Sequence, residues 1–188
     1  MQRIADLTRA VSKNGFTLIE LLITLAVGVI VLGIGIPSLQ TLLASNHQSS
    51  EINNFVRHLS LARSYAVKTG YDHVLCPSND DSSCLDATHW DEGFILFQDS
   101  NEDGARDMDE TLLRVSQPSG KFGIDMQSTQ GRKKITYRAD GRSAGSNLTL
   151  TFCDPESDVE PKAVILSNTG RARISRTRWD GTPLTCGS

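Results

Sequence analysis

The sequence predicts an α+β protein, with one long N-terminal helix, apolar and then amphipathic, followed by a β-rich globular domain of antiparallel strands. Three observations carry this. An apolar run from Phe16 to Pro37 passes into hydrophobic residues at three- and four-residue spacing, which stop at Gly70. From Tyr71 the pattern changes to short strand-length runs between turn residues. Asp140-Gly141 and Asn168-Thr169-Gly170 are hairpin signals.

The first fifteen residues, MQRIADLTRAVSKNG, set Arg3, Arg9 and Lys13 against Asp6. The following FTLIELLITLAVGVIVLGIGIP is long enough to cross a bilayer core of about 30 Å. The basic stretch before it belongs on the cytoplasmic side. A secretory signal peptide has a shorter apolar core and a small-x-small cleavage site, and neither is present, so the segment is expected to stay in the mature protein. Glu20 lies inside the apolar run, where a charge costs at least about 2.5 kcal/mol at the bilayer centre and calls for a partner. Gly28, Gly33, Gly35 and Pro37 weaken the helix in water but are tolerated in a membrane. They are expected sites of local unwinding.

Beyond Pro37, Ile52, Phe55, Val56, Leu59, Ala62 and Ala66 mark one helix face. The helix is therefore expected over 16–69, with its second half laid on a soluble domain. Strands are expected at Tyr71–Leu75, Gly93–Phe97, Leu112–Val115, Lys134–Arg138, Leu148–Phe152, Ala163–Leu166 and Arg171–Ser175.

Charge divides the chain. Residues 40–110 hold thirteen Asp/Glu and four Lys/Arg, a net of −9, whereas residues 111–188 hold seven and twelve, a net of +5. Such asymmetry points to a basic face with an anionic partner, or to two halves folded against each other. The basic side culminates in GRARISRTR, which carries Arg171, Arg173, Arg176 and Arg178. On a strand, alternation puts Arg171 and Arg173 on one face and turns Ala172 and Ile174 to the core. A ridge of guanidinium groups suits phosphate oxygens, and Lys133, Lys134, Arg138 and Arg142 extend it. Trp179 is placed to stack on a base. The alternative is that these arginines pair with the acidic half or with neighbouring subunits.

On the acidic side, Asp99–Glu110 reads DSNEDGARDMDE and fits the calcium-loop pattern D-x-[DN]-x-[DN]-G-x5-E at every fixed position. Asp99, Asn101, Asp103 and Glu110 are its candidate oxygen donors, with Gly104 at the sharp turn. Strand patterns flank the loop where an EF-hand has helices, so an acidic turn-rich connection is the competing reading. Gly141-Arg142-Ser143-Ala144-Gly145 matches G-x-S-x-G, but a strand follows where a nucleophile elbow needs a helix. No other catalytic constellation is present, and an enzyme is not expected. Cys76, Cys84, Cys153 and Cys186 lie in a domain placed outside the cytoplasm, where disulfides persist. Adjacent pairing is the simplest of the three possible connectivities. Zinc is disfavoured, because there is no CxxC pair and no ligand spacing among the histidines.

Lys13-Asn14-Gly15-Phe16-Thr17-Leu18-Ile19-Glu20-Leu21-Leu22 resembles the processing site of type IV pilins and pseudopilins. The resemblance implies a leader, 1–15, removed by a prepilin peptidase between Gly15 and Phe16, and methylation of the new N-terminal Phe16. It implies a pilin spine over 16–69 and a periplasmic domain over 70–188. Glu20 would then pair with the N-terminal amine of another subunit in an apolar filament core, which makes its burial tolerable. LSLARSYAVKTGYDHVLCPS, FILFQDSNEDGARDMDETLLR and ITYRADGRSAG are similar to the minor pilin and pseudopilin branch called FimT/GspH. Gly170-Arg171-Ala172-Arg173-Ile174-Ser175-Arg176 resembles the GRxRxxR motif of FimT-type minor pilins, which bind DNA during natural transformation.

The resemblance therefore implies a single-pass inner-membrane precursor with a periplasmic domain. It would be assembled with other pilins into a pilus and would bind DNA nonspecifically through phosphates. Four phosphate contacts predict a salt slope of roughly −3.6 on duplex DNA. A minor pilin that only helps to initiate assembly, or a type II secretion pseudopilin, keeps the N-terminal chemistry without the DNA.

Overall fold

A computed structural model describes residues 15–117, 123–155 and 159–186, except for the Pro37 side chain. Most of the basic leader, including Arg3, Arg9 and Lys13, lies outside the described residues. Helix α1 spans Leu18–Thr69. Thr17 caps it, its Oγ1 accepting the Glu20 amide at 3.3 Å, in a T-x-x-E arrangement typical of helix starts.

The chain divides into two compact units, up to Leu39 and from Gln40 onward. In the first, the apolar side chains from Phe16 to Ile36 and that of Leu39 are exposed, and the helix is long and apolar enough to cross a membrane by length and composition. In the second, one face of the helix is buried on successive turns. Ile52, Phe55, Leu59, Ala62 and Ala66 are almost fully covered.

Among the described residues, eight strands follow: β1 Asp72–Pro77, β2 Phe94–Asp99, β3 Leu112–Ser116, β4 Asp125–Ser128, β5 Ile135–Tyr137, β6 Leu148–Cys153, β7 Lys162–Leu166 and β8 Ala172–Ser175. They form two four-stranded sheets, ordered β3-β2-β1-β5 and β4-β6-β7-β8, and every pairing is antiparallel. A register shift interrupts β2–β3 between Leu96 and Phe97.

Phe55 of α1 joins the two sheets. Its ring stands edge-on to Phe94 of the first sheet at 5.5 Å and to Phe152 of the second at 6.0 Å, with Trp90 at 5.6 Å. Gln48, fully buried, donates its amide to the Phe152 and Glu160 carbonyls at 3.0 and 3.1 Å. The other face of the first sheet is covered too: Val74, Cys76, Ile95 and Phe97 pack with Cys84 and Leu112. This explains why β1 is buried along its whole length instead of alternating. Disulfides join Cys76 to Cys84 and Cys153 to Cys186, the adjacent pairing.

Two expectations need correction. Strand β4 was not expected. It is four residues long, and only Met126 is strongly apolar, so it carries no alternation long enough to read, yet it pairs with β6. Asp140-Gly141 is a tight turn but not a hairpin between paired strands. It lies in the connection from β5 to β6, which belong to different sheets. The Gly141 amide bonds the Arg138 carbonyl at 2.7 Å, which closes the turn locally.

Candidate nucleic-acid interface

The β7–β8 hairpin presents the arginines. Leu166 pairs with Ala172 and Ile165 with Arg173, and the Ser167 amide bonds the Arg171 carbonyl at 3.1 Å across the turn. Gly170 closes this turn at φ +78, and a Cβ there would meet the Gly141 carbonyl oxygen at 2.3 Å. Positive φ and a backbone contact this close both demand glycine. The Gly170 carbonyl also accepts from the Tyr137 hydroxyl and from Arg63 Nη1, each at 3.3 Å. Burial pushes the Tyr137 phenol up to about 12, against a smaller opposing effect of Arg63, so it remains a neutral donor to that carbonyl.

Arg171, Arg173, Arg176 and Arg178 are all exposed. Among the described residues, Arg171 and Arg173 have no carboxylate partner. Arg176 lies 3.7 Å from Glu160, both side chains being strongly exposed, so this pair adds little. Arg178 donates to Thr185 Oγ1 at 2.9 Å, and the Cys153–Cys186 bond ties that tail back to the end of β6. Trp179 is 74% exposed between them. Asp180 lies beside Arg178. The Thr182 hydroxyl and amide hold its carboxyl below the usual range, so it stays anionic.

Ile174 does not face the core as alternation suggested: it is 52% exposed. Strand β8 is an edge strand. Ala172 at its start packs against the core, whereas Ile174 lines an open groove with Ser49 and Asn53 of α1, Lys162 and Arg176.

The structure also draws in cations that sequence reasoning missed. Arg63 and Lys68 of α1 line an open groove of about 660 Å³ whose opposite wall is Gly170, Arg171 and Ala172. Their signal was basic residues bordering the apolar helix face. The loop bearing Arg142 lies against the same turn, since the Ser143 amide bonds the Asn168 carbonyl at 3.0 Å.

Lys133 and Lys134 do not extend this group. Both precede β5, whereas Tyr137 at its far end meets Gly170. Lys133 pairs with Asp86 at 2.7 Å, and Lys134 donates to the Gly104 carbonyl at 2.8 Å.

The other candidate residues are also placed. Ser143 is fully buried, and its hydroxyl donates to the Thr136 carbonyl at 3.1 Å, as a structural residue does. Gly15 and Phe16 precede α1, and Glu20 is exposed on its first turn. Asp99 ends β2, and Glu110 stands just before β3.

Residues 51–170 match the family Type II transport protein GspH, and residues 11–36 match the prokaryotic N-terminal methylation motif. In fold, the chain is similar to the type IV minor pilin FimU of Pseudomonas aeruginosa (strain PAO1). The crystal structure in space group P21 matches with a TM-score of 0.56 at 17% identity, over 70% of this chain and 90% of that one. The structure in space group P65 matches with a TM-score of 0.48 at 16% identity, over 70% and 89%. No curated protein sequence matches significantly.

Proposed function

The chain belongs to the GspH family of minor type IV pilins and pseudopilins, and from that premise we propose that it is a minor pilin that captures extracellular DNA for uptake in natural transformation. Pilins and pseudopilins are structural, non-enzymatic proteins. The observation that carries the DNA reading is the pair Arg171, just before edge strand β8, and Arg173, on it, both exposed without a carboxylate partner among the described residues. A cation recruited for internal stability would be paired. These project from a turn held rigid by Gly170, with Trp179 further along the same segment. Contacts to phosphates hold any sequence equally, so binding is nonspecific and salt-dependent.

The N-terminus supplies the means of display. A prepilin peptidase cuts between Gly15 and Phe16, in the non-helical residues before α1. The apolar helix anchors the precursor in the inner membrane, with the β-rich domain in the periplasm, and then packs with the helices of other pilins. Glu20 is exposed on the first turn, where the terminal amine of a neighbouring subunit can reach it.

The test is a DNA titration of a fragment starting at Gln40, where the second compact unit begins. An Arg171→Gln/Arg173→Gln variant is titrated alongside. A slope of −3.6 weakens parent binding roughly 150-fold between 50 and 200 mM salt. The variant should lose most of its affinity and have a slope shallower by about 1.8. A folded parent that ignores DNA at low salt would move the chain to the second reading, an assembly-initiating minor pilin or a secretion pseudopilin. One observation favours that reading: the half-exposed Ile174 beside Lys162 and Arg176 resembles a contact surface more than a phosphate site.

A further inference from the structure

We propose that the Asp99–Glu110 loop is a calcium site, with Asp99, Asn101, Asp103 and Glu110 as its oxygen donors. The spacing of these residues matches a calcium loop at every fixed position. The independent observation is Asp99 itself. Its side chain is 1% exposed, and one oxygen, Oδ2, accepts the Gly104 amide at 2.8 Å. That bond holds the carboxylate inside the loop. The other oxygen, Oδ1, is buried there with no hydrogen-bond partner. A bare carboxylate oxygen in a buried position is costly unless something positive meets it.

Nothing positive in the described chain does so. Among the described residues, none of the loop's carboxylates has a Lys or Arg ion-pair partner. Arg106 turns away to the Ser82 carbonyl at 2.7 Å, and Lys134 meets the loop at the carbonyls of Gly104 and Asp103. Asp99, Asp103 and Glu110 bring three carboxylates into this one loop, each held by backbone amides. A divalent cation would relieve this crowding.

The frame suits a bound ion although strands flank the loop. The Gln98 amide bonds the Thr111 carbonyl at 3.0 Å, so the β2–β3 ladder holds the loop ends together. Gly104 makes the turn at φ +71. Glu110, 7% exposed, closes the loop by accepting the Ser100 and Asp107 amides at 2.6 and 3.2 Å. Among the described residues, no three His, Cys, Asp or Glu side chains yet surround a point as metal ligands do. Asn101 Nδ2 instead donates to Asp103 at 3.1 Å and Asp107 at 3.0 Å, and all three are exposed. Binding therefore means that Asn101 and Asp103 rotate inward toward Asp99. Extracellular calcium modules bind with Kd near 10⁻⁴ to 10⁻³ M, and the same range is expected here.

The experiment uses the full chain in detergent micelles at fixed ionic strength, in EDTA, CaCl2 or MgCl2. Thermal unfolding and titration calorimetry are the readouts. With Kd near 10⁻⁴ M, 1 mM CaCl2 should raise Tm by about 4 °C, and MgCl2 should not. The variant Asn101→Ala/Asp103→Ala also removes the turn bonds from the Asp103 and Ala105 amides, so its calcium response is read against its own value in EDTA. It should lose both the shift and the heat of binding. A folded parent with no shift and no heat at 5 mM CaCl2 overturns the proposal. So does an equal response of the variant, or an equal response to magnesium.

Discussion

The β7–β8 hairpin and the Asp99–Glu110 loop are the two charged poles of the soluble unit, and they hold charge in opposite ways. Arg171 and Arg173 stand in solvent, and only the backbone beneath them is fixed. Asp99 and Glu110 are buried, and backbone amides hold them instead of cations. Exposed charge costs the fold almost nothing and remains available to a partner. Buried charge shapes a turn and makes the local structure depend on every hydrogen bond it keeps. The first pole therefore keeps its charge on the surface, and the second spends its charge inside a turn.

The largest expected effect tests what holds the positive pole in place. Removing the Cys153–Cys186 bond, which spans 33 residues, should lower stability by about 3–4 kcal/mol. The measurement is urea unfolding of a Cys153→Ser/Cys186→Ser variant. DNA affinity should fall as well, because Arg176, Arg178 and Trp179 lie inside the closed loop. An unchanged urea midpoint would mean that the tail is held by other contacts.

The next two predictions set the poles against each other. Glu110→Ala strips the Ser100 and Asp107 amides of their acceptor and should cost about 2–3 kcal/mol. Arg171→Gln/Arg173→Gln should leave stability within about 0.5 kcal/mol of the parent. Equal losses in the two variants would erase the contrast between them.

The smallest effect concerns pH. The folded Asp99 carboxyl is raised above its ordinary 3.8, mainly by burial. The folded state therefore holds this proton more tightly than the unfolded chain. Its contribution to stability is present below the unfolded value and is lost as pH rises through the raised folded value. In EDTA, Asp99→Asn should flatten the decline of the urea midpoint above about pH 4. A steeper decline in the variant would show that Asp99 is not the group responsible.

Local pattern read some parts of this molecule well and others poorly. Helix α1 was expected over 16–69 and runs over Leu18–Thr69. Its apolar spacing marked five residues that are now in the core, with Val56 half covered. Helical periodicity is a local property, so one segment contains all of it. Ile174 shows the limit. Alternation put it on the same side as Ala172, but on an edge strand that side opens into a groove with Ser49 and Asn53 of α1, and Ile174 stays half exposed. Arg63 and Lys68 were not singled out from the sequence, because their place opposite Gly170 is a long-range one; Arg63 and Gly170 are 107 residues apart. Strand β4 is recognisable only beside β6.

By itself the sequence determined the apolar and amphipathic halves of the helix, the Gly-Phe junction with Glu20 behind it, the strand-rich remainder, and the separation of acidic from basic charge. Each is a matter of residue type and near spacing. Only the tertiary structure decided which arginines lack carboxylate partners among the described residues, why residue 170 must be glycine, and that Lys133 and Lys134 serve another neighbourhood. It also left one oxygen of Asp99 buried without a partner. These depend on burial and on partners brought together by sheet pairing, so no stretch of the chain records them alone.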